Sequence, residues 1–175
     1  MKFFPTEISG VFRIEPEPFE DERGWFARVL CVDEFKKAGV DFSVVQSNRS
    51  FTKQKGMLRG LHYQREPMWE PKVVTCLRGA TYQVIADLRP DSPTYKTWIS
   101  MELIENNRTM FYSPKGCANG FQALTDNCEL LYFMGERYSP EYATGVRYDD
   151  PSLAITWPLP SPILSERDRN LPFIS

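Results

Sequence analysis

Short runs in which apolar and polar side chains alternate recur along almost the whole chain, each closed off by turn-forming residues. A period of two marks strands with one buried face, and these runs are rich in β-branched and aromatic residues. Val11 to Ile14, Trp25 to Leu30 and Val44 to Gln46 read as early strands, and Met57 to Gln64 as another. Lys72 to Leu77, Thr81 to Leu88, Trp98 to Leu103, Thr109 to Tyr112, Gly120 to Leu124 and Glu129 to Met134 follow. The turn signals RGA, RPDSP, ENN, SPKG and TDN separate them at the spacing of a sandwich or barrel. A short helical piece interrupts the pattern from Asp33 to Ala38, with Asp33 as N-cap and Gly39 as its stop. The expected fold is all-β.

Two segments lie outside this pattern. REPMWEP, at 65 to 71, is a loop with two prolines and an exposed Trp69, which suits either a lid or a plain surface connection. From Pro151 onward the chain carries five prolines and reads as an extended segment laid over the barrel, with SERDR as a solvated charged face. At 175 residues with 42% hydrophobic content, the sequence suits one domain, 1–175, with a real core.

Charge narrows the function classes. The formal net charge is -2, and Lys and Arg are scattered among Asp and Glu, so the chain lacks the basic block of a nucleic-acid binder. No run approaches membrane-spanning length, and Pro5 and Glu7 break what a signal peptide would need as an apolar core. A soluble cytoplasmic protein is expected. Cys31, Cys76, Cys117 and Cys128 are widely spaced, which suits buried free thiols better than disulfides.

The only histidine, His62, sits in the strand MLRGLHYQ. Strict alternation would turn His62 and Arg59 to opposite faces. A lone strand histidine suits a structural hydrogen bond as well as a general base. PKGCANGF, at 114 to 121, has the PxG turn of a cupin motif. One imidazole cannot build the three-histidine site of metal-dependent cupins, so no imidazole-bound metal is expected; carboxylate-only binding of a hard cation stays open but has no motif behind it. Metal-free proton abstraction beside a carbonyl needs a base, a group that stabilises the enolate oxygen, and an acid on the other face. Histidine, lysine and tyrosine supply these, and a carboxylate on the far imidazole nitrogen would fix the tautomer.

RGLHYQ with the following Lys72, DERGWF at 21 to 26, QSNRS at 46 to 50 and PKGCANGF resemble, in order, motifs of the dTDP-4-dehydrorhamnose 3,5-epimerase family. So do LYF at 131 to 133, RYSPE at 137 to 141, YDDP at 148 to 151 and ILSERD at 163 to 168. The resemblance implies a cupin-type β-sandwich or jelly roll and a homodimer that exchanges N-terminal strands. It also implies cofactor-free epimerisation of a nucleotide-linked 4-keto-6-deoxy sugar at C3, or at C3 and C5. By position, His62 matches the base, Asp168 the carboxylate that orients it, Tyr132 the proton donor and Lys72 the enolate-stabilising lysine. Arg59 and Arg23 match residues that grip the pyrophosphate, Gln46 and Asn48 match polar nucleotide contacts, and Tyr138 matches an aromatic stacked on the base.

The chain departs from the family pattern at several positions. Asn119 stands where the family has histidine in GFAHGF, so an amide that cannot carry a proton replaces a titrating ring, and Arg49 replaces the histidine of an NHS segment. Arg28 and Ala143 stand where the family has glutamates around the base. Thymine offers a donor at N3 and cytosine an acceptor, so Arg28 raises CDP as an alternative to dTDP in the substrate. Two other readings remain beside epimerisation: a 3,4-ketoisomerase, and a catalytically weakened nucleotide-sugar-binding relative.

Overall fold

The structure, a computed structural model, describes residues 1–174. In chain order its elements are β1 (Lys2–Pro5), β2 (Phe12–Glu15), β3 (Phe19–Asp21), β4 (Gly24–Phe26), α1 (Val32–Lys37), β5 (Gln46–Thr52), β6 (Leu58–Gln64) and β7 (Lys72–Arg78). There follow β8 (Ala80–Asp87), β9 (Trp98–Ile104), β10 (Met110–Ser113), β11 (Cys117–Ala123), β12 (Cys128–Met134), β13 (Ala143–Gly145) and α2 (Glu166–Arg169). One sheet runs β1-β2-β10-β7-β12-β5 and the other β13-β6-β11-β8-β9, while β3 and β4 form a separate hairpin.

The two large sheets face each other across a core that includes Val74, Ile85, Leu103, Phe111, Phe121 and Leu130. Each such side chain taken from water contributes about 1.5–3 kcal/mol. Here the all-β sandwich inferred from alternation is realised. Residues 117–123 are buried throughout, because β11 is also covered on its outer face. Leu61, Val84, Ala118 and Leu153 form that outer layer, beneath the proline-rich tail. A third cluster joins Phe35 of α1 to Phe42 and Tyr112, with ring centroids 5.5 and 6.2 Å from the Phe35 ring.

Several local expectations give way. The helix starts at Val32 with Cys31 at its N-cap and no side-chain cap; Asp33 lies in the first turn, where its charge favours the helix dipole. Gly39, at φ 78°, ends it as anticipated. Only Trp25 and Phe26 of the Trp25 to Leu30 run are strand, because the β3–β4 hairpin finds no further partner among the described residues. Val44 and Val45 precede a strand that is polar in sequence, QSNRSFT. Trp69 is half-buried rather than exposed, stacked 6.3 Å from Tyr63. At the end of β8, Asp87 is fully buried and accepts bonds from Arg89, Ser92 and Thr94. Burial pushes its carboxyl up, but these donors outweigh that effect and hold it at about 2.

Candidate active site

The site begins with an irregularity in β6. Asn119 pairs with His62 and Phe121 with Arg59, so β6 spends one residue more than β11 between these pairs. The bulge overrides the alternation that would separate Arg59 from His62, and both line one cavity between the sheets. Only glycine fits where the strands cross: Gly60 has φ 114°, and a Cβ on it would lie 2.6 Å from the Gly120 Cα.

The cavity holds about 300 Å³, at the small end of ligand sites. His62 and Asn119 project from the five-stranded sheet, while Lys72 and Tyr132 project from β7 and β12 of the six-stranded sheet opposite. The register sets Tyr132 beside Val74 and Asn48, and Met134 beside Lys72 and Gln46, so these residues share the inward face. Tyr132 Oη lies 3.2 Å from Ser50 Oγ, and burial raises its phenol above the ordinary range. It therefore keeps its proton at neutral pH.

His62 Nε2 lies 2.6 Å from Asp168 Oδ1, although the two are 106 residues apart in sequence. Asp168 sits on α2, whose N-cap Ser165 accepts from the Asp168 N–H. The tail reaches this position because Ile163 pairs with Met57 beside β6. SERDR is thus not simply a solvated face: the Asp168 side chain is 6% exposed. Burial pushes its carboxyl up, but the His62 bond, the His62 charge and the Ser165 and Gly60 donors prevail and hold it below the usual carboxylate range. With Nε2 engaged by an acceptor, the imidazole lone pair falls on Nδ1.

Lys72 Nζ lies 2.7 Å from Glu70 Oε1, with side-chain exposures of 8% and 9%. Gln46, Asn48, Tyr138 and Ala143 also line the cavity, and Gln46 Nε2 donates to Asn48 Oδ1 at 3.0 Å. Asn119 Nδ2 donates to the Cys117 carbonyl, and its buried Oδ1 has no partner. Arg23 and Arg28 are not brought to this cavity. Arg23, 89% exposed, pairs with Asp21 on the β3–β4 hairpin, and Arg28, 64% exposed, pairs with Glu34. The same hairpin exposes Phe19, Trp25 and Phe26. Sequence reasoning missed Glu70, Gln83 and Arg167, which also line the cavity. Glu70 looked like a loop residue and Arg167 part of a charged surface; only the tail's path over β6 relates Arg167 to the site.

Comparison with known proteins follows the same lines. The family model for dTDP-4-dehydrorhamnose 3,5-epimerase matches residues 5–175. The dTDP-4-dehydrorhamnose 3,5-epimerase of Methanothermobacter thermautotrophicus is 42% identical over 172 residues, 97% of this chain and 92% of that protein. A crystal structure of the Bacillus anthracis dTDP-4-dehydrorhamnose 3,5-epimerase with TDP and PPi bound superposes with a TM-score of 0.96 at 39% identity, covering 99% of each chain. A 3'-monoepimerase from Streptomyces bikiniensis in complex with dTDP-quinovose gives 0.89 at 35% identity, covering 97% of this chain and 86% of that one.

Proposed function

Because this chain belongs to the dTDP-4-dehydrorhamnose 3,5-epimerase family, we propose that it epimerises a dTDP-linked 4-keto-6-deoxyhexose without a cofactor. One observation carries the reading: His62, held at Nε2 by Asp168, and Tyr132, whose burial keeps its phenol protonated, line one cavity from opposite sheets. His62 Nδ1 takes the proton from C3, the C–H electron pair moves into the C4 carbonyl, and the enolate oxygen gathers negative charge beside Lys72. Tyr132 then delivers a proton to the other face, and the enolate electrons close the new C–H bond with inverted configuration. Asp168 orients the ring and stabilises the imidazolium. A ketoisomerase carries hydrogen from one carbon to its neighbour and gains nothing from a base and an acid on opposite walls.

Asn119 cannot relay a proton, so one base and one acid serve the whole site, and C3 alone is inverted. The name of the Streptomyces bikiniensis relative, a 3'-monoepimerase, shows that a chain of this fold can invert one centre. Arg59 grips the diphosphate, Gln46 and Asn48 bond the nucleotide, and Tyr138 stacks on its base. The protein acts as a homodimer: the apolar hairpin carrying Phe19, Trp25 and Phe26 packs on a second copy and brings Arg23 and Arg28 to that copy's cavity. Arg28 and Ala143 motivate the CDP alternative, but the solved relatives carry TDP or a dTDP sugar, which favours dTDP. Four free thiols suit a reducing compartment, so we place the protein in the cytoplasm.

The experiment is NMR of dTDP- and CDP-linked 4-keto-6-deoxyhexoses with the protein in heavy water. Deuterium at C3 of the dTDP sugar, with inversion there, is expected. His62→Ala should abolish the exchange and leave dTDP affinity within about twofold. Label at C5 as well would make it a 3,5-epimerase, a 3-keto product would make it an isomerase, and retained exchange in His62→Ala would remove the base assignment.

A further inference from the structure

The cavity is lined by three basic side chains, Arg59, Lys72 and Arg167, and by one carboxylate, Glu70, among the described residues. A site for a diphosphate has reason to exclude carboxylates, since each repels the ligand. Glu70 is nevertheless built in. Trp69 beside it stacks on Tyr63, the Gln64 side chain bonds the Met68 carbonyl at 2.9 Å, and the Pro71 carbonyl accepts from Gly135 N at 2.8 Å. These contacts hold the loop from both sides and deliver the Glu70 carboxylate to within 2.7 Å of Lys72 Nζ.

We infer that Glu70 is a positioning residue for the reaction, a tether that keeps the Lys72 ammonium at the keto end of the substrate rather than on its diphosphate. This rests on the epimerase reading. A lysine carries its charge on a flexible four-carbon arm and binds phosphate as a point charge. A diphosphate already gripped by guanidinium groups would draw a third cation toward it. Glu70 opposes that pull, because leaving it would strand a buried carboxylate without its partner. The rest of the cavity lining offers the ammonium only weaker, neutral acceptors such as Tyr132 and Gln83.

The test is a double-mutant cycle on exchange at C3, with E70Q, K72M and E70Q/K72M, each checked for native folding by its thermal melt. E70Q should lower kcat about tenfold to a hundredfold, with dTDP affinity unchanged or tighter. In the K72M background the same change should cost less than about twofold. Equal, additive losses in both backgrounds would overturn the inference, since Glu70 would then act independently of Lys72. E70D, which keeps the charge on a shorter arm, should recover part of the loss. A readout free of activity is the side-chain ammonium spectrum of 15N-lysine-labelled protein. A signal present in the native chain and missing from K72M should be lost or displaced in E70Q, and if it persists unchanged the tether does not exist. Should E70Q not fold, E70D carries both measurements, with a smaller change expected and no change fatal. Failure of the native chain to exchange any substrate would sink the epimerase reading and leave the spectrum to decide the tether.

Discussion

Asp168→Asn is the most discriminating single change at the site, because it keeps the side-chain volume and removes only the charge facing the base. The Ser165 cap is made by the Asp168 backbone N–H, so the turn that carries the residue should survive. Two opposite unit charges 4 Å apart attract by about 4 kcal/mol at an effective dielectric of 20. The His62 side chain is 38% exposed, and this solvent access roughly halves that figure, to about 2 kcal/mol. Replacing a charged acceptor by a neutral one weakens the hydrogen bond by up to about 1 kcal/mol more. The imidazolium that forms as His62 takes the proton therefore loses about 2–3 kcal/mol, or about 30- to 150-fold in rate. The assay is the initial rate of deuterium uptake at C3 under saturating substrate, with dTDP affinity measured by calorimetry. Binding should change by less than about twofold. Uptake within about threefold of the native rate would refute the reasoning, because the buried carboxylate would then have no electrostatic work to do.

Other consequences follow from contacts already described. Tyr132→Phe should impair inversion more than exchange, since exchange needs only removal and return on the His62 face; equal loss of both would make the phenol a packing group. Asp87, held at about 2 against an ordinary 3.8, contributes about 2 kcal/mol of stability that is present above pH 4 and lost as the pH falls toward 2. Asp87→Asn should accordingly lower stability near pH 7, and the gap between its denaturation midpoint and that of the native chain should narrow as the pH falls from about 4 through about 2; a constant gap would show that the charge is not responsible. Gly60→Ala places a Cβ 2.6 Å from the Gly120 Cα at φ 114°, which should cost about 3 kcal/mol or more and lower Tm by about 6–12 °C. A drop under about 2 °C would mean that the strands separate there at little cost.

The fold was legible where strands bury one face. Thr81 to Leu88 and Glu129 to Met134 each came within one residue of the observed strands, because alternation and turn chemistry act locally. It was less legible where pairing depends on distant chain. Gln46–Thr52 is polar in sequence and becomes a strand because β12 offers it an edge. Trp25 to Leu30 is mostly apolar, and beyond Phe26 it is not strand, because no strand among the described residues pairs with it there. At the site, His62 stood out as the lone imidazole, whereas Asp168 was identified only through the family motif, since its burial is decided by where the tail crosses β6. That Arg59 joins His62 was hidden by the bulge, which a period of two cannot anticipate.

The carboxylate that meets the imidazole thus arrives 106 residues after it in the chain. A ribosome that has made the first 160 residues has encoded most of both sheets and the histidine itself, yet nothing to steer the ring. If the proposed mechanism holds, a chain halted there would carry its imidazole with no carboxylate to orient it.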